Sequence, residues 1–359
     1  MACFLKHQKK TSDILLIILE KNSNNMEDLG KKYQNKIGVI LTNLGTPKSP
    51  VRKDVKKYLN QFLLDRRVVD INRLLWVPLL KLIILTIRPS KSAKLYKKIW
   101  MNEGSPLLVY MNKIKDKAER SFKIDNFKTF FEIGMRYGEP SLGEALKKMK
   151  ENNVSKIIVL PLYPQSGSPT TSTTYDEISN ILKNWTWVPD LVFVSGYHDN
   201  QDYINALAKT IKQSFKDNGM PDKILFSYHG MPKRYLENGD PYYCFCHKTT
   251  RLVAEKLKLN KEKFDMSFQS RFGTEEWLKP YTDDMLMDYG KNKIKNIHVI
   301  SPGFSVDCLE TLEEIEIQYK ELFLENGGEK FHYIPCLNDS DEHIQLINKI
   351  IDKKSKVWF

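Results

Sequence analysis

Seven short runs rich in Val, Ile, Leu and Phe, spread from Lys36 to about Phe304, constrain the fold of this 359-residue chain more than any other feature. They read KIGVILTNLG, TFFEIGMRYG, SKIIVLPLYPQ, LVFVSGYH, KILFSYHG, FDMSFQS and NIHVISPGF. Several lack the polar alternation of a strand with one wet face, which is how strands covered by helices on both sides read. Between them lie amphipathic stretches such as SLGEALKKMKENN, YINALAKTIKQSFKDN and HKTTRLVAEKLKL. Strand and helix in alternation predict the α/β class with open parallel sheets, and the length provides for two of them. The expected division is a poorly ordered N-terminal extension over 1–35, one sheet-and-helix half over 36–180, a second over 190–335, and a C-terminal segment over 336–359.

Charge and cysteine usage narrow the classes of function. The net charge of +12 comes mainly from lysines scattered through KKYQNK, KDVKK, KKMK and IDKKSK. These runs lack the aromatic interleaving of a nucleic-acid reader, so no nucleic-acid partner is expected. Five cysteines in a chain this long form no disulfide framework and fit a reducing, cytoplasmic compartment. The extension has an apolar run from Ile14 to Leu19 but no A-x-A site after it, and Asp13, Glu20, Glu27 and Asp28 argue against a transit peptide. A further segment, 73–100, has 14 residues from Leu74 to Ile87 that are mostly apolar but interrupted by Pro78 and Lys81, too short to span a bilayer. With Arg88, Lys91, Lys94, Lys97 and Lys98 behind it, this segment reads either as the lip of an apolar pocket touching a membrane surface or as a buried helix pair.

The predicted strands end in NLGTP, RYGEP, LYPQSGSPTT, SYHGMP and SPGFSVD. Ligands of open α/β sheets bind beyond the carboxyl ends of the strands, so these loops are expected to share a cleft. His229, directly after a buried strand and before Gly230, is the histidine best placed to meet it, with a satisfied structural histidine as the alternative. His298 lies within a strand and reads as packing, while His198 is a second strand-end candidate. Asp307, Glu310 and Glu314 fall at i, i+3 and i+7 of a helix beginning after Ser305, with Leu312, Ile315 and Tyr319 as its buried stripe. A solvated acidic face is the ordinary reading of such a row. Leading into a cleft that also holds a histidine, the row can instead conduct protons or a divalent cation, and these ligand types suit a metal such as Fe(II). The stretch GDPYYCFCHKTT also suggests a metal through Cys244, Cys246 and His247, but C-x-C-H has no second ligand pair and is neither a zinc nor a haem-attachment pattern.

Taken in order, GVILTNLGTP, VKKYLNQFLLDRRVVD, GSPLLVY, GMRYGEPSL, VLPLYPQ, SYHGMP, GDPY, FQSRFGTEEWLKPYTD and PGFSVDCLETLEEI cover nearly nine tenths of the chain from Ile37 to about Ile351. This series resembles the ferrochelatases, most closely the proteobacterial type. The resemblance implies two similar Rossmann-like halves with the active-site cleft between them. It implies insertion of ferrous iron into protoporphyrin IX, the last step of haem biosynthesis, with His229 and Glu310 catalytic and on the metal, and Asp307 and Glu314 extending an acidic path. Leu44, Arg136, Tyr163, Trp277 and Phe304 match the porphyrin pocket. Contact with a membrane is implied too, as a peripheral association on the inner face. A [2Fe-2S] cluster, present in some members, is not expected, because Ser168 stands about where one cluster cysteine belongs and the tail after Cys336 has no cysteine. Iron is then a substrate, with no permanently bound cofactor. The competing readings are a chelatase for another tetrapyrrole, such as coproporphyrin III, and a non-catalytic porphyrin or haem carrier. Under the resemblance GDPYYCFCHKTT becomes scaffold, with Cys246 and Thr249 packing a helix start.

Overall fold

The structure is a computed structural model that describes residues 35–359. Apart from Asn35, the N-terminal extension lies outside the described residues. Among the described residues eight parallel strands form two four-stranded sheets. In the first, β1 (Lys36–Thr46) lies between β2 (Lys128–Gly138) and β3 (Lys156–Pro161), with β4 (Asp190–Phe193) at the edge. In the second, β5 (Lys223–His229) lies between β6 (Phe264–Gln269) and β7 (Asn296–Ile300), with β8 (Lys330–Ile334) at the edge. The two sheets therefore share one strand order, with the first strand of each flanked by its second and third.

The central strands are buried on both faces, as their unbroken apolar runs require. Val39 and Leu41 of β1 belong to the same core as Phe226 and Tyr228 of β5, so the halves pack as one body. The helix Asp341–Ser355 strengthens that union by returning to the helix Pro106–Ser121 of the first half, burying Leu346, Ile347 and Ile351. At the carboxyl end of β1 the chain must turn sharply beside β2. Gly45 has φ +109°, and a Cβ there would lie 1.7 Å from the Tyr137 carbonyl oxygen, so only glycine fits.

Two details differ from the sequence reading. Strand β8 was not anticipated, because KFHYI mixes polar and apolar residues as a half-wet edge strand does. The run beginning at Leu191 joins the first sheet through its pairing with β3, so the chain changes sheets between Phe193 and Lys223. An apolar run identifies a strand; it does not identify the neighbour.

Segment 73–100 forms one kinked helical run: Arg73–Leu79, a π-helical turn at Leu80–Ile84, and Leu85–Ile99. It is not a buried pair. One face packs Trp76, Leu80, Leu85 and Tyr96 against Val55, Tyr58 and Leu59 of the helix Arg52–Leu64. The other exposes Leu74 at 84%, with Leu75, Leu82, Ile83 and Ile87 beside it. Among the described residues no helix is long and apolar enough to cross a membrane.

His298 and His343 are wholly buried, and burial holds each at about 4, below the ordinary value of 6.5. His298 sits against Ser214 Oγ (2.9 Å) and the His332 ring (5.0 Å); His343 Nδ1 donates to the Asn338 carbonyl at 2.5 Å. Between these two limits the unfolded chain binds protons that the folded chain excludes, so stability falls as pH falls from about 6.5 to about 4. Urea unfolding should show its midpoint dropping across this window, and His298→Gln should flatten about half of the dependence. An unchanged slope in that variant would show that His298 does not contribute.

Candidate active site

A cavity of about 400 Å³ opens where the carboxyl ends of both sheets converge, the position expected for a ligand in open α/β sheets. The carboxyl end of β1 and the loops after β3, β5, β6 and β7 contribute to it, and so does the helical run 73–99. Leu44, Tyr163, Trp277 and Phe304 form apolar wall, with Tyr58, Tyr96 and Val306 among their neighbours. His229 and Glu310 line this same cavity.

His229 is the last residue of β5 and pairs in register with Gln269 at the end of β6. Its Nδ1 lies 2.6 Å from the Gly230 carbonyl oxygen. A carbonyl only accepts, so Nδ1 carries the hydrogen and Nε2 of the neutral ring keeps the lone pair. The strand end thus presents a base in one fixed tautomer, beside Phe304 at a ring separation of 6.4 Å.

The carboxylates stand on a π-helix, Leu309–Tyr319. Its i→i+5 bonding widens each turn and changes which residues share a face. Thr311, Glu313 and Ile315 make the buried stripe, whereas Leu312 and Tyr319 are half-buried. Glu310, Glu313 and Glu314 all line the cavity. Gln269 joins the two walls: its Nε2 donates to the Glu310 carbonyl at 2.8 Å and to Glu314 Oε2 at 3.1 Å, and its own carbonyl accepts from Gly230 N at 2.8 Å. Glu314 also accepts from Ser270 Oγ (2.5 Å) and Tyr319 OH (2.9 Å). Burial raises the Glu314 pKa above the ordinary carboxylate value, opposed by these donors and by nearby His229.

Asp307 and Arg136 are not brought to the cavity. The Asp307 carboxylate is enclosed by Tyr333, Asn338 and Thr311. Arg136 is engaged elsewhere: Nη2 pairs with Asp65 Oδ2 at 2.5 Å and Nε donates to Thr173. Two cavity residues, Glu313 and Arg88, and Gln269 behind the wall escaped the sequence reading. Glu313, 1% exposed at its side chain and paired with Lys98 at 2.9 Å, falls on the wet face of an ordinary α-helix and could be found only by knowing the helix was of the π type. Arg88 reaches the cavity from the helical run, and burial lowers its pKa against the pull of Glu310. Gln269 ended a predicted strand in FQS, a signal that was available.

The GDPY stretch leads into the helix Tyr242–Leu257. Cys246 is buried and its thiol pKa pushed up, while Thr249 links the His198 carbonyl (2.7 Å) to Gln165 (2.9 Å); Cys244 is exposed. Among the described residues no three His, Cys, Asp or Glu side chains are grouped to hold a metal ion by themselves.

A base and carboxylates lining one largely apolar cavity supply what is needed to move protons and a cation at a bound ring. The class is set by fold: SirB from Bacillus subtilis with Fe3+ superposes with a TM-score of 0.53 at 9% identity over 89% of this chain and 95% of its own. The sirohydrochlorin chelatase SirB from Bacillus subtilis subspecies spizizenii with cobalt gives 0.52 at 9% identity, covering 89% of this chain and 96% of its own. These likenesses place the chain in the two-domain chelatase fold. The chain belongs to the ferrochelatase family, whose model matches residues 36–355. It is 51% identical over 317 residues to a ferrochelatase of Vibrio cholerae, covering 88% of this chain and 97% of that one. A ferrochelatase of Wigglesworthia glossinidia brevipalpis is 48% identical over 320 residues, covering 89% of this chain and 98% of that one.

The raised Glu314 pKa has a consequence for stability. Above its folded pKa the buried carboxylate is charged at a cost that the unfolded chain does not bear. Glu314→Gln should therefore raise the melting temperature by roughly 1–3 °C near pH 8, with the gain vanishing as pH falls through the carboxylate range. Scanning calorimetry at several pH values checks this; a lower melting temperature near pH 8 would refute it.

Proposed function

We propose that the chain inserts ferrous iron into protoporphyrin IX, yielding protohaem and two protons, with His229 and Glu310 on either side of the ring. The observation that carries this reading is the fixed tautomer of His229 in a cavity that also holds the π-helical carboxylates. Free-base porphyrin bears two pyrrole N–H protons, and the metal can enter only as they leave. His229 Nε2 accepts protons from the ring; Glu310 meets the cation or a proton from the opposite wall. Glu314, its proton affinity raised by burial, takes protons onward through the Gln269, Ser270 and Tyr319 network. The walls Leu44, Tyr163, Trp277 and Phe304 exclude water and hold the macrocycle bent, which is binding directed at the transition state. Arg88, at the rim of the cavity and, among the described residues, without a carboxylate hydrogen bond, suits a propionate. Iron is a substrate here, and no resident cofactor is required.

Porphyrin is poorly soluble in water, and the exposed Leu74, Leu75, Leu82, Ile83 and Ile87 with Lys91 and Lys94 behind them suit peripheral contact with an anionic membrane face from the cytoplasmic side. The cavity disfavours coproporphyrin III, whose extra carboxylates would be buried in apolar surroundings. A pure carrier would need neither a fixed base nor three carboxylates.

Anaerobic protein supplied with Fe(II) and protoporphyrin IX should form protohaem, followed by absorbance, and faster than with coproporphyrin III. His229→Ala should lower kcat by about 100-fold or more, with porphyrin affinity, read by fluorescence quenching, changed only a few-fold. Metal insertion no faster than the uncatalysed rate would sink the enzyme reading, and normal turnover in the variant would remove the role of His229.

A further inference from the structure

Asp307 is 3% exposed, and no Lys, Arg or His among the described residues forms an ion pair with it. Both carboxylate oxygens are already occupied. Oδ1 accepts from Tyr333 OH (2.5 Å), Thr311 Oγ1 (3.1 Å) and the Cys336 backbone N–H (3.3 Å); Oδ2 accepts from Asn338 Nδ2 (2.6 Å). The Asp307 N–H donates to Asn338 Oδ1 at 2.8 Å, closing a reciprocal pair. These donors come from two directions: Tyr333, Cys336 and Asn338 from the end of β8 and the loop after it, and Thr311 from the first turn of the π-helix.

A carrier of protons or iron needs a place in the cavity, and Asp307 has none. What it does have is control of the helix start. Thr311 Oγ1 donates to Asp307 and accepts from Cys308 N at 2.9 Å, so Glu310 lies within the short loop from Asp307 to Thr311 that this hydroxyl closes. A π-helix has no terminal carboxylate cap by default, and its first turn leaves N–H groups to be satisfied. We infer that Asp307 is a positioning residue, which fixes the phase of the π-helix through Thr311 and so sets Glu310 opposite His229, rather than a member of the acidic path. This rests on the reading of Glu310 and His229 as the reacting groups.

The test compares Asp307→Asn, Thr311→Val, the double variant and Glu310→Gln in steady-state assays with varied Fe(II), alongside thermal melts. Thr311→Val deletes the link and leaves the Asp307 carboxylate in place, so it stays informative even if Asp307→Asn fails to fold. The expected result is that Thr311→Val lowers kcat by about 5–10-fold with the KM for Fe(II) within about two-fold, and that the double variant is no slower than Asp307→Asn alone. Thr311→Ser, which restores the hydroxyl, should recover most of the lost rate; a merely structural role would shift the melts without splitting kcat from KM in this way. Wild-type kcat in Thr311→Val, or a raised KM for Fe(II) confined to Asp307→Asn, would overturn the inference and return Asp307 to the path. Full activity in Glu310→Gln would instead overturn the underlying assignment of function, whatever the other variants do.

Discussion

Holding carboxylates out of water is the constraint around which this site is organised. Glu310, Glu313 and Glu314 line one small cavity, with Asp307 packed behind them. A charge in such surroundings is tolerated only when paired or hydrogen-bonded. The protein solves this differently for Glu313, Glu314 and Asp307. Glu313 has the cation Lys98 and the amide of Gln318; Glu314 has three neutral donors; Asp307 has four, including a backbone N–H. Neutral donors stabilise a carboxylate less than a cation does, so Glu314 keeps a raised affinity for protons.

The parallel topology makes such a gathering possible. Every strand in both sheets ends on the same side, so residues far apart in sequence arrive together without any one loop having to be long. Register does the fine placement. His229 and Gln269 are paired across β5 and β6, and Gln269 then reaches the π-helix, so base and carboxylates are referred to the same two strands. Strand ends locked by a parallel ladder move little, which suits a reaction that depends on where two walls stand relative to a flat ring.

Much of this was legible before any coordinates. Apolar runs with both faces covered announced seven of eight strands, and strand-end positions alone singled out His229 and the loop before Glu310. What remained hidden has physical reasons. Strand β8 is an edge and looks half-polar. Periodicity assigns faces only if the period is known: an α-helical spacing groups Asp307 with Glu310 and Glu314, but the i→i+5 helix brings Glu313 to the cavity, and Asp307 precedes it in extended surroundings where its carboxylate turns away. Arg136 lies in a strand next to the cleft, yet its guanidinium is taken by Asp65, 71 residues away in sequence. The partners that decide these cases, such as Lys98 for Glu313, are 215 residues away in sequence.

The helical run 73–99 shows how one element can serve opposite demands. Its outer face leaves Leu74 and Leu82 in water, an arrangement that stability alone would not select. Its inner face supplies Arg88, Leu95 and Tyr96 to the cavity. Near its end Lys98 reaches across to Glu313 on the π-helix, and the ammonium is half in water while the carboxylate is almost wholly out of it. The asymmetry matters: were the run to swing away, Lys98 would be rehydrated at little loss, but Glu313 would remain as a buried charge with only Gln318 beside it. The penalty therefore falls on the π-helix side and opposes the motion. The apolar outer face and the carboxylate wall are thus mechanically joined.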